Sequence, residues 1–124
     1  MEKSRVLVVD DEPQITHIIR RVLERTSRYE VRTENEAAHA LAAAREFQPD
    51  VILLDIVMPG ADGGEVAARL QRDPRLGDVP VVFLTGIVSE DEIGADGRDI
   101  AGKLLMAKPI KFDRLIDRLD VLVA

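Results

Sequence analysis

The sequence predicts an α/β fold built on a doubly wound parallel sheet with helices on both faces, and three observations point to it. Short apolar runs alternate with amphipathic stretches about five times along 124 residues, the order expected of strand and crossover-helix units. The central run, Val51-Ile52-Leu53-Leu54, lies between Pro49 and Pro59-Gly60 and has the unbroken apolar character of a strand buried on both faces. The inner runs also end on polar residues, at Asp10-Asp11, Asp55, Thr85 and Lys108. A parallel sheet gathers such positions at one edge, and open α/β sheets bind ligands there, where the strand order reverses.

Taken in order, Arg5-Val6-Leu7-Val8-Val9 is β-branched and reads as a buried strand finished by carboxylates. Pro13 suits a first helical turn, and Ile15, Ile18, Ile19, Val22 and Leu23 recur at helical spacing to about Arg25. Tyr29 to Thr33 alternates with polar residues, which places it near a sheet edge. From Glu34 to Phe47 the chain is Ala-rich, with Ala37, Ala38, Leu41 and Ala44 forming the small-residue stripe of a second helix. Asp62-Gly63-Gly64 leads into a third helix at Glu65 to Leu70 that ends near Asp73-Pro74. Val79 to Leu84 is a strand ending on Thr85-Gly86, and Leu104 to Ala107 is another ending on Lys108-Pro109. The last helix runs from Lys111 to about Val123, with Phe112, Leu115, Ile116, Leu119 and Leu122 on its apolar side.

The stretch before Leu104 is the exception. Ser89 followed by Glu92 is a capping-box pattern, so a helix starts at about Glu90. Gly94 and Gly97 would each cost about 1 kcal/mol inside it. Only Ile93 and Ile100 are large and apolar between Glu90 and Ala101. A short fourth helix giving way to irregular chain is expected.

Composition bounds the function. The chain is long enough for one domain with a core and too short for two. No apolar run reaches membrane-spanning length, and Met1-Glu2-Lys3-Ser4-Arg5 shows no leader pattern. The absence of cysteine excludes disulfides and thiolate metal sites and fits a cytoplasmic protein. A net charge of −6 without a basic stripe argues against direct nucleic-acid binding by this chain.

The strand ends carry the chemistry. Carboxylates about 4 Å apart repel by about 4 kcal/mol per pair at an effective dielectric near 20, so a cluster of Asp10, Asp11 and Asp55 calls for a cation. With oxygen donors alone, magnesium is the natural candidate. Asp55, on the rigid central strand, is then suited to attack phosphorus, with the Lys108 ammonium neutralising developing charge and the Thr85 hydroxyl donating to a phosphoryl oxygen.

Val8-Val9-Asp10-Asp11-Glu12-Pro13, Asp55-Ile56-Val57-Met58-Pro59-Gly60-Ala61-Asp62-Gly63, Thr85-Gly86 and Lys108-Pro109 together make the chain resemble a receiver domain of two-component response regulators, over residues 1–124. The resemblance implies a five-stranded flavodoxin-like sheet of order 2-1-3-4-5 and a cis bond before Pro109. It implies that Asp55 is the phosphoacceptor, with Asp10, Asp11, Asp55 and the Val57 carbonyl as magnesium ligands and with Thr85 and Lys108 in the switch and phosphate-contact roles. It further implies a signalling protein rather than an enzyme, taking its phosphoryl group from a sensor histidine kinase or a histidine phosphotransfer protein and passing the signal to a downstream partner.

Two other classes fit these residues less well. A haloacid-dehalogenase-type phosphatase would want an aspartate where Val57 stands, and the chain has no room for a cap domain. A degenerate receiver would not keep the full acidic cluster and Lys108. The chain departs from the family pattern at Leu105, where an aromatic residue is usual, and carries the apolar Val57 and Ile87 at the positions flanking the pocket. His17 and His39 read as surface groups, and Met58 and Tyr29 as packing residues.

Overall fold

The computed structural model describes residues 2–86, 89–94, 96–100 and 103–124. The strands are β1 (Ser4–Val9), β2 (Tyr29–Glu34), β3 (Val51–Asp55), β4 (Val57–Met58), β5 (Ala61–Asp62), β6 (Val81–Thr85), β7 (Arg98–Ile100) and β8 (Lys103–Ala107). The helices are α1 (Pro13–Arg25), α2 (Ala40–Phe47), α3 (Gly63–Arg72), α4 (Glu90–Ile93) and α5 (Phe112–Leu122), with a single 3-10 turn at Ala37–His39. In the main sheet the order is β2-β1-β3-β6-β8-β7, while β4 and β5 form a small antiparallel ribbon of their own. The five strands β2, β1, β3, β6 and β8 pair in parallel, which is the expected doubly wound arrangement.

Alternation along each strand sorts the side chains to two faces. Val6, Val8, Val51, Leu53, Val82, Leu84, Leu104 and Met106 pack with Ile19 and Leu23 of α1 and with Leu115 and Leu119 of α5. Leu7, Val9, Ile52, Leu54, Val81 and Phe83 face the other way, against Ala40, Ala43 and Ala44 of α2 and Val66, Ala67 and Leu70 of α3. The alanines let α2 lie close to the sheet. Every residue of β3 is buried, and each such aliphatic contributes about 1.5–3 kcal/mol by leaving water. Asp55 therefore ends a strand that is buried along its whole length.

Two boundaries differ from the sequence reading. The helix read from Glu34 begins only at Ala40, after the 3-10 turn, and buries Ala40, Ala43 and Ala44 while Ala38 is exposed. Glu34 itself belongs to β2, because its backbone is taken by the ladder: it pairs with Val9, and its carbonyl accepts from the Asp10 amide at 3.1 Å. The segment after α4 is the larger correction. Where irregular chain was expected, Arg98–Ile100 forms β7 and pairs antiparallel with Leu105 to Lys103 of β8, adding a sixth strand at the sheet edge. A three-residue strand with two charged side chains is too short to show an alternation, so only the pairing itself reveals it.

The shortness of α4 follows from its ends. The Glu92 half of the capping box forms, Glu92 Oε1 accepting from both the amide and the hydroxyl of Ser89 at 3.1 Å. Gly94, at φ +88°, then turns the chain into the left-handed region that ends a helix, and Gly97 repeats this at φ +81°. A Cβ on Gly97 would also run into the Leu105 carbonyl oxygen and the Met106 side chain. Ile93, 8% exposed, anchors the single turn. Arg114 of α5 reaches Asp96 at 3.3 Å and Arg118 reaches Asp99 at 3.6 Å, exposed pairs worth about 0–1 kcal/mol each.

Gly63 fixes how α3 meets the end of β3. Its amide donates to the Ile56 carbonyl at 2.8 Å, and a Cβ there would collide with the backbone of Asp55 and Ile56. The Gly63→Ala variant is expected to lose about 1–3 kcal/mol of stability. Urea unfolding checks this as a lower midpoint at unchanged slope; a midpoint equal to that of the parent protein would show that the β3 to α3 connection has slack.

Candidate functional site

The strand register assembles the site. Val9 lies opposite Leu54, Asp55 opposite Leu84, and Thr85 opposite Ala107, so Asp10, Asp55, Thr85 and Lys108 come to one edge of the sheet. The order turns back at β1, which connects to β2 on one side and lies beside β3 on the other, and this is the switch point where such sheets bind ligands. Asp10, Asp55 and Thr85 are buried, while Asp11 is half-buried.

One carboxylate oxygen from each of Asp10, Asp11 and Asp55 falls within 4.8 Å of the others. Lys108 Nζ donates to Asp10 Oδ2 at 2.7 Å and lies 3.5 Å from Asp55 Oδ2. The Lys108 amide donates to the Thr85 carbonyl at 2.7 Å, tying the ends of β6 and β8 together, and the Lys108-Pro109 bond is cis as expected. Asp10 Oδ1 accepts from the Glu12 amide at 3.0 Å, and Asp55 Oδ1 from the Val57 amide at 3.3 Å.

Electrostatics follow from this crowding. Burial, and then the charge of Asp10, push the Asp55 carboxyl above its ordinary value, while Lys108 and the Val57 amide pull it back without cancelling the shift. For Lys108, burial alone would lower the value. The hydrogen bond to Asp10 and the charges of Asp10 and Asp55 outweigh it, and the ammonium is held above its ordinary value. Three carboxylates facing one ammonium leave an excess of negative charge, and their donors are all hard oxygens. The cluster therefore fits a hard divalent cation.

Asp10, Asp11, Asp55, Thr85 and Lys108 meet at this edge, and Val57 adjoins it through the hydrogen bond from its amide to Asp55. Val57 is 57% exposed on the β4–β5 ribbon beside Asp55, its amide engaged as described. Ile87 lies outside the described residues. One polar contact at the site had no signal in the sequence: Asn35 Nδ2 donates to the Asp10 carbonyl at 2.8 Å and to Thr16 Oγ1 at 3.0 Å. No spacing rule links positions 10, 16 and 35, so only the packing of β1, α1 and the end of β2 discloses it.

A doubly wound sheet carrying an acidic triad, a lysine and a threonine at its switch point defines a class of phosphate-handling signalling domains. The chain matches the family model of the response regulator receiver domain over residues 6–120 and belongs to that family. It is 33% identical over 120 residues to the DNA-binding dual master transcriptional regulator RpaA of Synechocystis, covering 96% of this chain and 48% of RpaA. With the phosphate regulon transcriptional regulatory protein PhoB of Pseudomonas aeruginosa it shares 35% identity, covering 99% of this chain and 53% of PhoB. It thus spans about half the length of these regulators. Protein PilH of P. aeruginosa, 30% identical, is covered over 98% of both chains. Among solved structures, the Vibrio cholerae chemotaxis protein CheY4 superposes with a TM-score of 0.82 at 26% identity, over 98% of this chain and 99% of that one. Among the described residues no helix is long and apolar enough to cross a membrane.

The direction of the Asp55 shift makes a stability prediction. A carboxyl raised in the folded state contributes stability that is full below its unfolded value, near 3.8, and is lost as pH rises through the folded value. At pH 7, well above the unfolded value, this raised carboxyl therefore burdens the metal-free fold. In a chelator-containing buffer, Asp55→Asn should show a higher urea midpoint than the parent at pH 7. The advantage should shrink as the pH is taken down toward about 3.8. An advantage that persists unchanged in acid would assign it to something other than the carboxylate charge.

Proposed function

We propose that Asp55 accepts a phosphoryl group from a phosphohistidine, and that Asp10, Asp11, Asp55 and the Val57 carbonyl hold magnesium during the transfer. The observation that carries this reading is Lys108 Nζ, set between Asp10 and Asp55 at 2.7 and 3.5 Å at the mouth of the acidic cluster. An Asp55 carboxylate oxygen attacks phosphorus. The new O–P bond forms as the P–N bond to the histidine breaks, and the bonding pair leaves with the imidazole. Asp55 must be ionised to attack, and Lys108, with the Val57 amide, favours that form against burial and Asp10. Bound magnesium supplies charge neutralisation to a dianionic phosphoryl group. In this reading the Thr85 hydroxyl, at the end of the adjacent strand β6, donates to a phosphoryl oxygen. In this reading the domain assists its own phosphorylation and dephosphorylation but remains a cytoplasmic signalling module, not an enzyme acting on other substrates.

The donor is a sensor histidine kinase or a histidine phosphotransfer protein, and the recipient of the signal is a downstream protein. The face made by α4, β7, β8 and α5 carries the one-turn fourth helix and the added edge strand. Leu105 stands there in place of an aromatic residue, half-buried and opposite Arg98 of β7. Movement of Thr85 would be sensed by an aliphatic side chain.

Acetyl phosphate or a phosphorylated kinase should label the protein only with magnesium present, and Asp55→Asn should abolish the added phosphoryl mass. Undiminished labelling of that variant would place the acceptor elsewhere. Persistence gives a separate expectation: Val57 is exposed beside Asp55 and its side chain cannot hydrogen-bond an attacking water. The Val57→Asn variant should lose its phosphoryl group severalfold faster once the donor is removed, and equal decay in the two proteins would show that water positioning by this residue does not set the rate.

A further inference from the structure

We propose that Asn35 is a positioning residue for the divalent-cation site, its side-chain amide clamping the Asp10 carbonyl and so setting the direction in which Asp11 presents its carboxylate; this rests on reading the acidic cluster as a metal site. The β1–β2 ladder runs from Ser4–Tyr29 to Val9–Glu34 and ends there, with the Asp10 amide still donating to the Glu34 carbonyl at 3.1 Å. The ladder does not reach the Asp10 carbonyl. Asn35, the next residue after β2, takes it up at 2.8 Å and also donates to Thr16 Oγ1, 3.0 Å away on α1.

The orientation of the amide is dictated by its partners. A carbonyl can only accept, and the Thr16 hydroxyl already donates to the Pro13 carbonyl at 3.1 Å. Both therefore face Asn35 as acceptors, and the nitrogen must be the atom turned toward them. One side chain thus joins the end of β2, the end of β1 and the first turns of α1, where Thr16 is 2% exposed.

The consequence runs through covalent geometry. The Asp10 carbonyl and the Asp11 amide belong to one planar peptide unit. Holding the carbonyl stops that plane from rotating, and the plane carries the Asp11 Cα and hence the direction of its Cβ. The Asp10 carboxylate is fixed independently, by the Glu12 amide at 3.0 Å and by Lys108 at 2.7 Å. Asn35 therefore acts on the half-buried Asp11 more than on Asp10. Removing a group that orients a metal ligand from behind weakens metal binding by about 10–100-fold.

Calorimetric titration with magnesium chloride alone, on proteins whose folding is verified by urea unfolding, tests the proposal. Asn35→Ala is expected to bind magnesium at least about tenfold more weakly than the parent, with a displaced Asp11 amide resonance in the metal-free protein. Thr16→Val, which removes the second acceptor but leaves the Asp10 contact, should lower the urea midpoint yet keep the parent's affinity. Should the alanine variant fail to fold, Asn35→Gln, with its amide displaced by a methylene, is expected to bind more weakly than the parent as well. Parent-like affinity in a folded Asn35 variant, with only the urea midpoint lowered, would make Asn35 a structural residue and overturn the proposal. Failure of the parent itself to bind magnesium would instead sink the reading of the cluster as a metal site, and this inference with it.

Discussion

Negative charge crowded at the end of the sheet is the constraint on which the rest of the molecule depends. Carboxylate oxygens of three aspartates lie within 4.8 Å of one another, and at about 4 Å each pair costs about 4 kcal/mol at an effective dielectric near 20. One lysine offsets part of this. The remainder is sustained because β3 is buried along its whole length and the helices on both faces hold the sheet against any relaxation. A softer scaffold would let the carboxylates drift apart. The core thus supplies the rigidity that keeps the site under electrostatic stress, and a cation or a phosphoryl group arriving there changes the balance of charges at the ends of β1, β3, β6 and β8 together.

The side of the sheet beyond β6 is built on different terms. With α4 reduced to one turn, the edge is finished by β7, and Lys103 lies over the Phe83 ring at 5.6 Å from its centroid. Exposed ion pairs from Arg114 and Arg118 of α5 hold the segment that carries Asp96 and Asp99. Such contacts are individually weak and screened by salt, whereas the α1, α2 and α3 sides rest on aliphatic packing. The charged contacts that fasten β7 and the segment before it are therefore weaker than the aliphatic packing that holds α1, α2 and α3.

Much of this was legible in the residues. Unbroken aliphatic runs announce buried parallel strands because both faces must be covered, and Pro and Gly mark their ends because neither continues a strand or helix at will. The polar residues closing those runs pointed to the site, since parallel strands necessarily bring their carboxyl ends to one edge. The capping pattern of Ser89 and Glu92 and the glycines after it foretold the short α4. What followed α4 was not legible: β7 is three residues long, two of them charged, and nothing in Arg98-Asp99-Ile100 distinguishes an edge strand from a loop.

The sequence by itself determined the fold class and the polar residues that close its inner strands, because hydrophobic periodicity and strand-end chemistry are local properties, readable within a window of a few residues. Tertiary structure alone decided the contacts that set their geometry: Lys108 reaching back across 98 positions to Asp10, Asn35 meeting the Asp10 carbonyl and Thr16, and β7 closing on β8. These join residues far apart in the chain through single hydrogen bonds or short backbone ladders. Their partners are chosen by where the packed core leaves an unfilled donor or acceptor, and no local pattern encodes that.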